Sequence, residues 1–132
     1  MNETATTLRA KIERAYIEVV PDEDPDTSYL YQDEPDFSER REAFERGDFS
    51  FVGVRAVAEI TFETEVSNGW IHGPKITTPG LWGIESDSGE SYFSEVGADE
   101  AAQLVDMLHA LGISLGRARY AESVAKQRIE YR

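Results

Sequence analysis

The chain has 132 residues, 40% of them hydrophobic and 11% aromatic. It suits one domain, which at this size buries roughly two-thirds of its extended-chain surface on folding. A formal net charge of -13 opposes direct binding to nucleic acid or anionic lipid, since phosphate recognition draws on Lys and Arg. Cysteine is absent, which removes disulfides, thiolate metal sites and a cysteine nucleophile.

Residues 1–10 are polar and expected to be flexible; they lack the basic start and apolar stretch of a signal peptide. No run approaches the roughly eighteen apolar residues of a membrane span, so a cytoplasmic protein is expected. Ile12, Tyr16, Ile17, Val19 and Val20 predict a strand that Pro21 stops. Asp22 to Asp36 then carries seven acids, no base and two prolines, with Tyr29 and Tyr31 embedded in it. Asp36-Phe-Ser-Glu39 has the spacing of a capping box and predicts a short helix from Phe37 to Arg46, stopped by Gly47.

Phe49 to Glu65 is the strongest strand signal, β-branched and aromatic, with alternation in its second half. Ser67-Asn-Gly69 predicts a turn, so Trp70 to Thr77 should return antiparallel. Thr78-Pro-Gly80 turns again into Leu81 to Glu85, a strand expected to be buried. Two helical readings follow. Tyr92, Phe93 and Val96 form a first turn or two that Gly97 is expected to interrupt. Ala101, Leu104, Val105, Leu108 and Leu111 form the main helix, with Asp99 and Glu100 at its start and Gly112 as its cap.

Leu104 to Leu111 should pack over Trp82 and Ile84. Residues 116–132 read as a basic helical tail, with Ala121, Val124, Ala125 and Ile129 on one face. The whole predicts a single α+β domain over residues 11–115, a small mainly antiparallel sheet covered on one face by helices.

Catalysis finds little support. His72 and His109 stand far apart, and the chain has no nucleophile elbow, phosphate-binding glycine loop or dinucleotide fingerprint. No catalytic residue, cofactor or metal ligand is assigned. The acids themselves offer three readings. Duplex DNA carries about one charge per 1.7 Å of axis, so a carboxylate-studded surface can occupy a nucleic-acid channel and bind a basic enzyme. The plain alternative is a solvated face kept for solubility or for life in salt.

A calcium site is the second reading. Asp22, Asp24 and Asp26 alternate, and Asp33 falls at the twelfth position of an EF-hand-like count, but Thr27 replaces the turn glycine and Pro25 stiffens the loop. In the third, the basic tail meets the acidic body of a neighbouring copy. The partner-binding candidates are Asp22, Glu23, Asp24, Asp26, Asp33, Glu34 and Asp36. Glu85, Asp87 and Glu90 form a second patch, and Tyr29 or Tyr31 supplies an aromatic anchor. Ser88 or Asp87 is expected to cap the helix that follows.

The run Leu81-Trp-Gly-Ile-Glu-Ser-Asp-Ser-Gly-Glu-Ser-Tyr-Phe-Ser-Glu-Val96 resembles a family of small acidic proteins of bacteriophages, plasmids and other mobile elements. Asp26 to Leu30 and Phe51 to Arg55 match the same pattern, and the likeness spans about Ile12 to Ile113. It implies a mobile-element setting. By analogy, it implies an inhibitor of host defence of the anti-CRISPR or anti-restriction type, without catalytic residues.

Overall fold

The computed structural model describes residues 10–32, 37–64 and 69–132. Its centre is β2, Phe51–Thr64, the segment richest in β-branched and aromatic residues. One side of β2 pairs antiparallel with β1, Ala10–Pro21, from Ala10↔Phe62 to Pro21↔Val52. The other side is shared by β3, Gly69–Thr77, and β4, Leu81–Glu85, both antiparallel and lying in line along the same edge. Between them Thr78 holds the line: its N–H donates to Ala56 O, and its hydroxyl accepts from Ala56 N, each at 2.9 Å. At the opposite edge β5, Ile129–Tyr131, runs parallel to β1. The fold is a single-domain α+β fold with a five-stranded, mostly antiparallel sheet, as expected.

Helix α1, Ser38–Glu45, ends in a left-handed Gly47. The N–H of Gly47 bonds Phe44 O and that of Asp48 bonds Ala43 O, the paired pattern that closes a helix on glycine. Asp36, the expected cap of this helix, lies outside the described residues, as does most of the turn expected at Ser67-Asn-Gly69. Helices α2, Glu90–Ala110, and α3, Leu115–Ala125, cover one face of the sheet. Leu104, Leu108 and Ile113 are fully buried there with Ile17, Val54, Ala56 and Ile84. Gly112 takes the left-handed conformation that ends α2, as its sequence position suggests.

Several expectations are corrected. Gly97 does not interrupt α2: it faces Ile17 so closely that a Cβ would lie 2.7 Å from that side chain. The glycine is there for close approach of helix to sheet. Because α2 begins at Glu90, Asp99 and Glu100 sit in its middle and owe nothing to its N-terminus. Its N-cap is Gly89, at φ +96°; Ser88 bonds Glu85 O instead, and Asp87 turns to Arg40.

The basic segment 116–132 is helical only to Ala125. Ala118, Ala121 and Ala125 bury completely, their small side chains letting α3 settle on β1 and α2, and Ile129 belongs to β5.

Trp82 is also misplaced by alternation. Trp82 and Ile84 should share a face, yet Val52 pairs with Ile84 and Val54 with Leu81, leaving Trp82 and Gly83 together opposite Gly53. Gly83, at φ +74°, absorbs this bulge. Ile84 therefore joins the core beneath the helices while Trp82 turns to the other face. There it lies flat on Gly53, where a Cβ would come within 2.2 Å of the ring, and it stays 42% exposed. Leu81 is exposed as well, so β4 is an edge and not the buried strand that its composition suggests.

Candidate functional site

The face of the sheet turned away from α2 and α3 carries the densest group of charges. Alternation along β1 sends Arg14, Tyr16 and Glu18 to this side, and alternation along β2 sends Arg55, Glu59 and Thr61 there. Glu18, 8% exposed, accepts from Arg55 at 2.7 Å and from Arg132 at 2.9 Å. Glu130 accepts from Arg14, from Arg128 at 2.8 Å and from Arg132 at 2.7 Å. Glu59 accepts from Arg14 at 3.2 Å and from the Tyr16 hydroxyl at 3.0 Å.

The guanidinium groups of Arg14 and Arg132 lie over the Tyr16 ring, 4.7 and 5.5 Å from its centre, and Tyr16 is buried although no helix covers it. Burial pushes the Tyr16 phenol up, reinforced by the bond to Glu59. Burial also opposes ionisation of Glu130, but the bonds from Arg132 and Arg14 outweigh it and hold the carboxyl below its usual range. Each of Glu18, Glu59 and Glu130 meets at least one arginine, so this part of the surface is neutralised from within.

A second network holds the residues expected to meet a partner. A 3-10 turn, Ser28–Tyr31, and α1 close over one end of the same face, where Leu30, Phe49 and Phe51 form a satellite core with Phe44 and Tyr29. Arg40 lies 3.9 Å above the Phe49 ring. It donates to both oxygens of Asp87, at 3.0 and 2.8 Å, and to Glu85 at 2.6 Å. The Tyr29 hydroxyl donates to the other oxygen of Glu85.

The forked bond to Asp87 raises Arg40 and holds Asp87 below the usual carboxylate range; burial, then the bond to Glu85, pushes the Tyr29 phenol well up. Asp22 accepts from the backbone N–H groups of Asp24 at 3.1 Å and Gly83 at 2.9 Å, and Asp26 from Ser28 at 3.0 Å. A bond involving the Ser28 side chain, and after it this backbone bond, hold the Asp26 carboxyl low.

The structure therefore sorts the candidates. Asp22, Tyr29, Glu85 and Asp87 are brought together at one end of the sheet in the bonds that hold it, while Asp26 bonds only the start of the 3-10 turn. Tyr31 is exposed; its hydroxyl donates to Glu45 at 3.2 Å. Glu23, Asp24 and Glu90 are exposed and make no ion pair among the described residues. Asp33, Glu34 and Asp36 lie outside the described residues.

Sequence reasoning missed the carboxylates of α2. Glu95, Asp99 and Asp106 recur at helical spacing, all exposed, and form one stripe on its outer surface. The signal that marks them in the sequence is that helical spacing alone. Glu100, in the same helix, is the opposite case. It is 5% exposed and accepts from the Thr78 hydroxyl and Gly80 N–H, each at 2.7 Å, and from Gln103 at 3.0 Å. It pins the turn between β3 and β4 onto α2.

At the far end of the charged face a cleft of about 340 Å³ brings His72 and Lys75 to Glu13, Arg14 and Glu59. No hydroxyl nucleophile lines it. No group of three His, Asp or Glu side chains among the described residues is arranged to hold a metal, and none of their helices is long and apolar enough to cross a membrane. Comparison with protein-family models, with curated proteins and with solved structures finds no match to the chain.

Proposed function

We propose that the chain is a non-enzymatic cytoplasmic binding protein whose acidic surface engages a basic protein that handles nucleic acid. On this reading it is a mobile-element inhibitor of a host defence enzyme, acting in part as a charge mimic of DNA. The observation that supports it is the division of charge. Among the described residues most arginines are consumed by carboxylates on or beside the helix-free face, and Glu23, Asp24, Glu90, Glu95, Asp99 and Asp106 are exposed with no cation among those residues. Unpaired, solvated carboxylates steer a cationic partner over a Debye length of about 10 Å in 0.1 M salt. Those of the α2 stripe lie over roughly 16 Å of helix, at 1.5 Å per residue.

The test immobilises the protein, captures basic nucleic-acid enzymes from host lysate at low salt, and challenges the complex with duplex oligonucleotide. Displacement by DNA, with binding lost on Glu95→Lys, Asp99→Lys and Asp106→Lys together, is the expected result. Capture that survives both high salt and this triple reversal would overturn the reading. The Glu85 and Asp87 carboxylates are less available to the contact, because Arg40 already holds them.

A further inference from the structure

One edge of the sheet differs in charge from the rest of the molecule. From Ser67 to Ile84 the chain carries no Asp or Glu, against 26 in 132 residues overall. Its described part is β3, the turn after it and β4 as far as Ile84, aligned along the outer side of β2, and among the described residues no strand pairs with the outer edge of β3. Ile71 is 55% exposed on it, and Leu81 and Trp82 are exposed further along.

We infer that this edge is where two copies of the chain meet, β3 lying antiparallel to β3 across a two-fold axis centred near Ile71. Three arguments select a second copy as the occupant. The unpaired N–H and C=O groups of an edge strand are a template for another strand, and an antiparallel pair related by a two-fold axis is self-complementary. A second copy is also a partner that necessarily brings the same acid-free edge. Contacts through the acidic α2 stripe or the early acidic loop would instead set carboxylate against carboxylate between bodies of net charge -13.

The hairpin between α2 and α3 is likewise free of acids from Met107 to Ala121. It presents Arg117 and Arg119, which would repel their own copies, and it offers no open strand. Pro74 and the irregular register between His72 and Lys75 limit the pairing to the first half of β3, where Ile71 of each copy would face the other.

This inference is independent of the binding proposed above and has the opposite salt dependence. Salt weakens attraction to a basic partner, whereas it screens the mutual repulsion of two acidic bodies and should tighten their pairing. Sedimentation equilibrium of the full chain across concentration, in low and high salt, should show a dimer that strengthens with salt. Ile71→Lys should raise its dissociation constant at least about tenfold, some 1.4 kcal/mol. Tyr120→Lys, at a comparably exposed site on α3, should leave it unchanged.

Amide exchange on the unsubstituted chain provides a reading that needs no variant. The outward-facing amides of β3 near Ile71 should exchange more slowly as concentration rises. A monomer at every concentration in high salt would overturn the inference. So would a dimer equally weakened by Tyr120→Lys, or β3 exchange indifferent to concentration.

Discussion

The two faces of the sheet bury their side chains by different means. Beneath α2 and α3, burial is apolar and close: Ala118, Ala121 and Ala125 are fully covered, and Gly97 lets the helix backbone approach Ile17. On the other face Tyr16 is just as buried, but its cover is made of the arms of Arg14 and Arg132, tethered by Glu18, Glu59 and Glu130. Apolar packing has no substitute in water, whereas a partly exposed arginine that loses its carboxylate can be rehydrated. The helix-covered face should therefore fail abruptly when altered and the arginine-covered face by degrees.

Leu104→Ala should show the largest effect, since it leaves a cavity in the fully enclosed core. A loss of about 2–5 kcal/mol in urea unfolding is expected. Glu18→Ala removes the acceptor shared by Arg55 and Arg132 and should cost about 1 kcal/mol, because both arginines keep access to water. Equal losses from the two substitutions would break the comparison. The smallest effect should be the response to acid. Glu130 and Asp87 have folded-state pKa values below their ordinary values of 4.5 and 3.8, so their stabilisation is present above those values and fades as pH falls through the folded ones. Thermal melts should show a decline that begins only below about pH 4.5. A decline already under way at neutral pH would place the sensitivity in groups other than these carboxylates.

The elements were more legible than their surroundings. β1, β2, the return of β3 and the helical stretch after Gly89 all follow from periodicity, since each is long enough for its apolar pattern to show. The face taken by Trp82 was not legible, because one bulge residue inverts the alternation on which such a reading rests. Nor could the fate of Glu85 and Asp87 be read from the chain. They stand in an acidic turn beside a helix start, and their cation comes from α1, far away in sequence. The α2 stripe was within reach, since Glu95, Asp99 and Asp106 need only helical spacing to share a side.

By itself, the sequence determined most segments that become strand or helix, β5 and the continuity of α2 through Gly97 excepted, where glycine ends α1 and α2, and that the molecule carries a large negative charge. These are local or additive properties, set by backbone preference, by the spacing of apolar residues and by counting. Only the tertiary structure decided which charges remain available. Pairing β1 with β2 and β5 brings Glu18, Glu59 and Glu130 to their arginines, and docking α1 brings Arg40 to Glu85 and Asp87. A carboxylate is neutralised or left to solvent according to which distant cation the fold sets within a few ångströms of it, and no spacing along the chain encodes that distance.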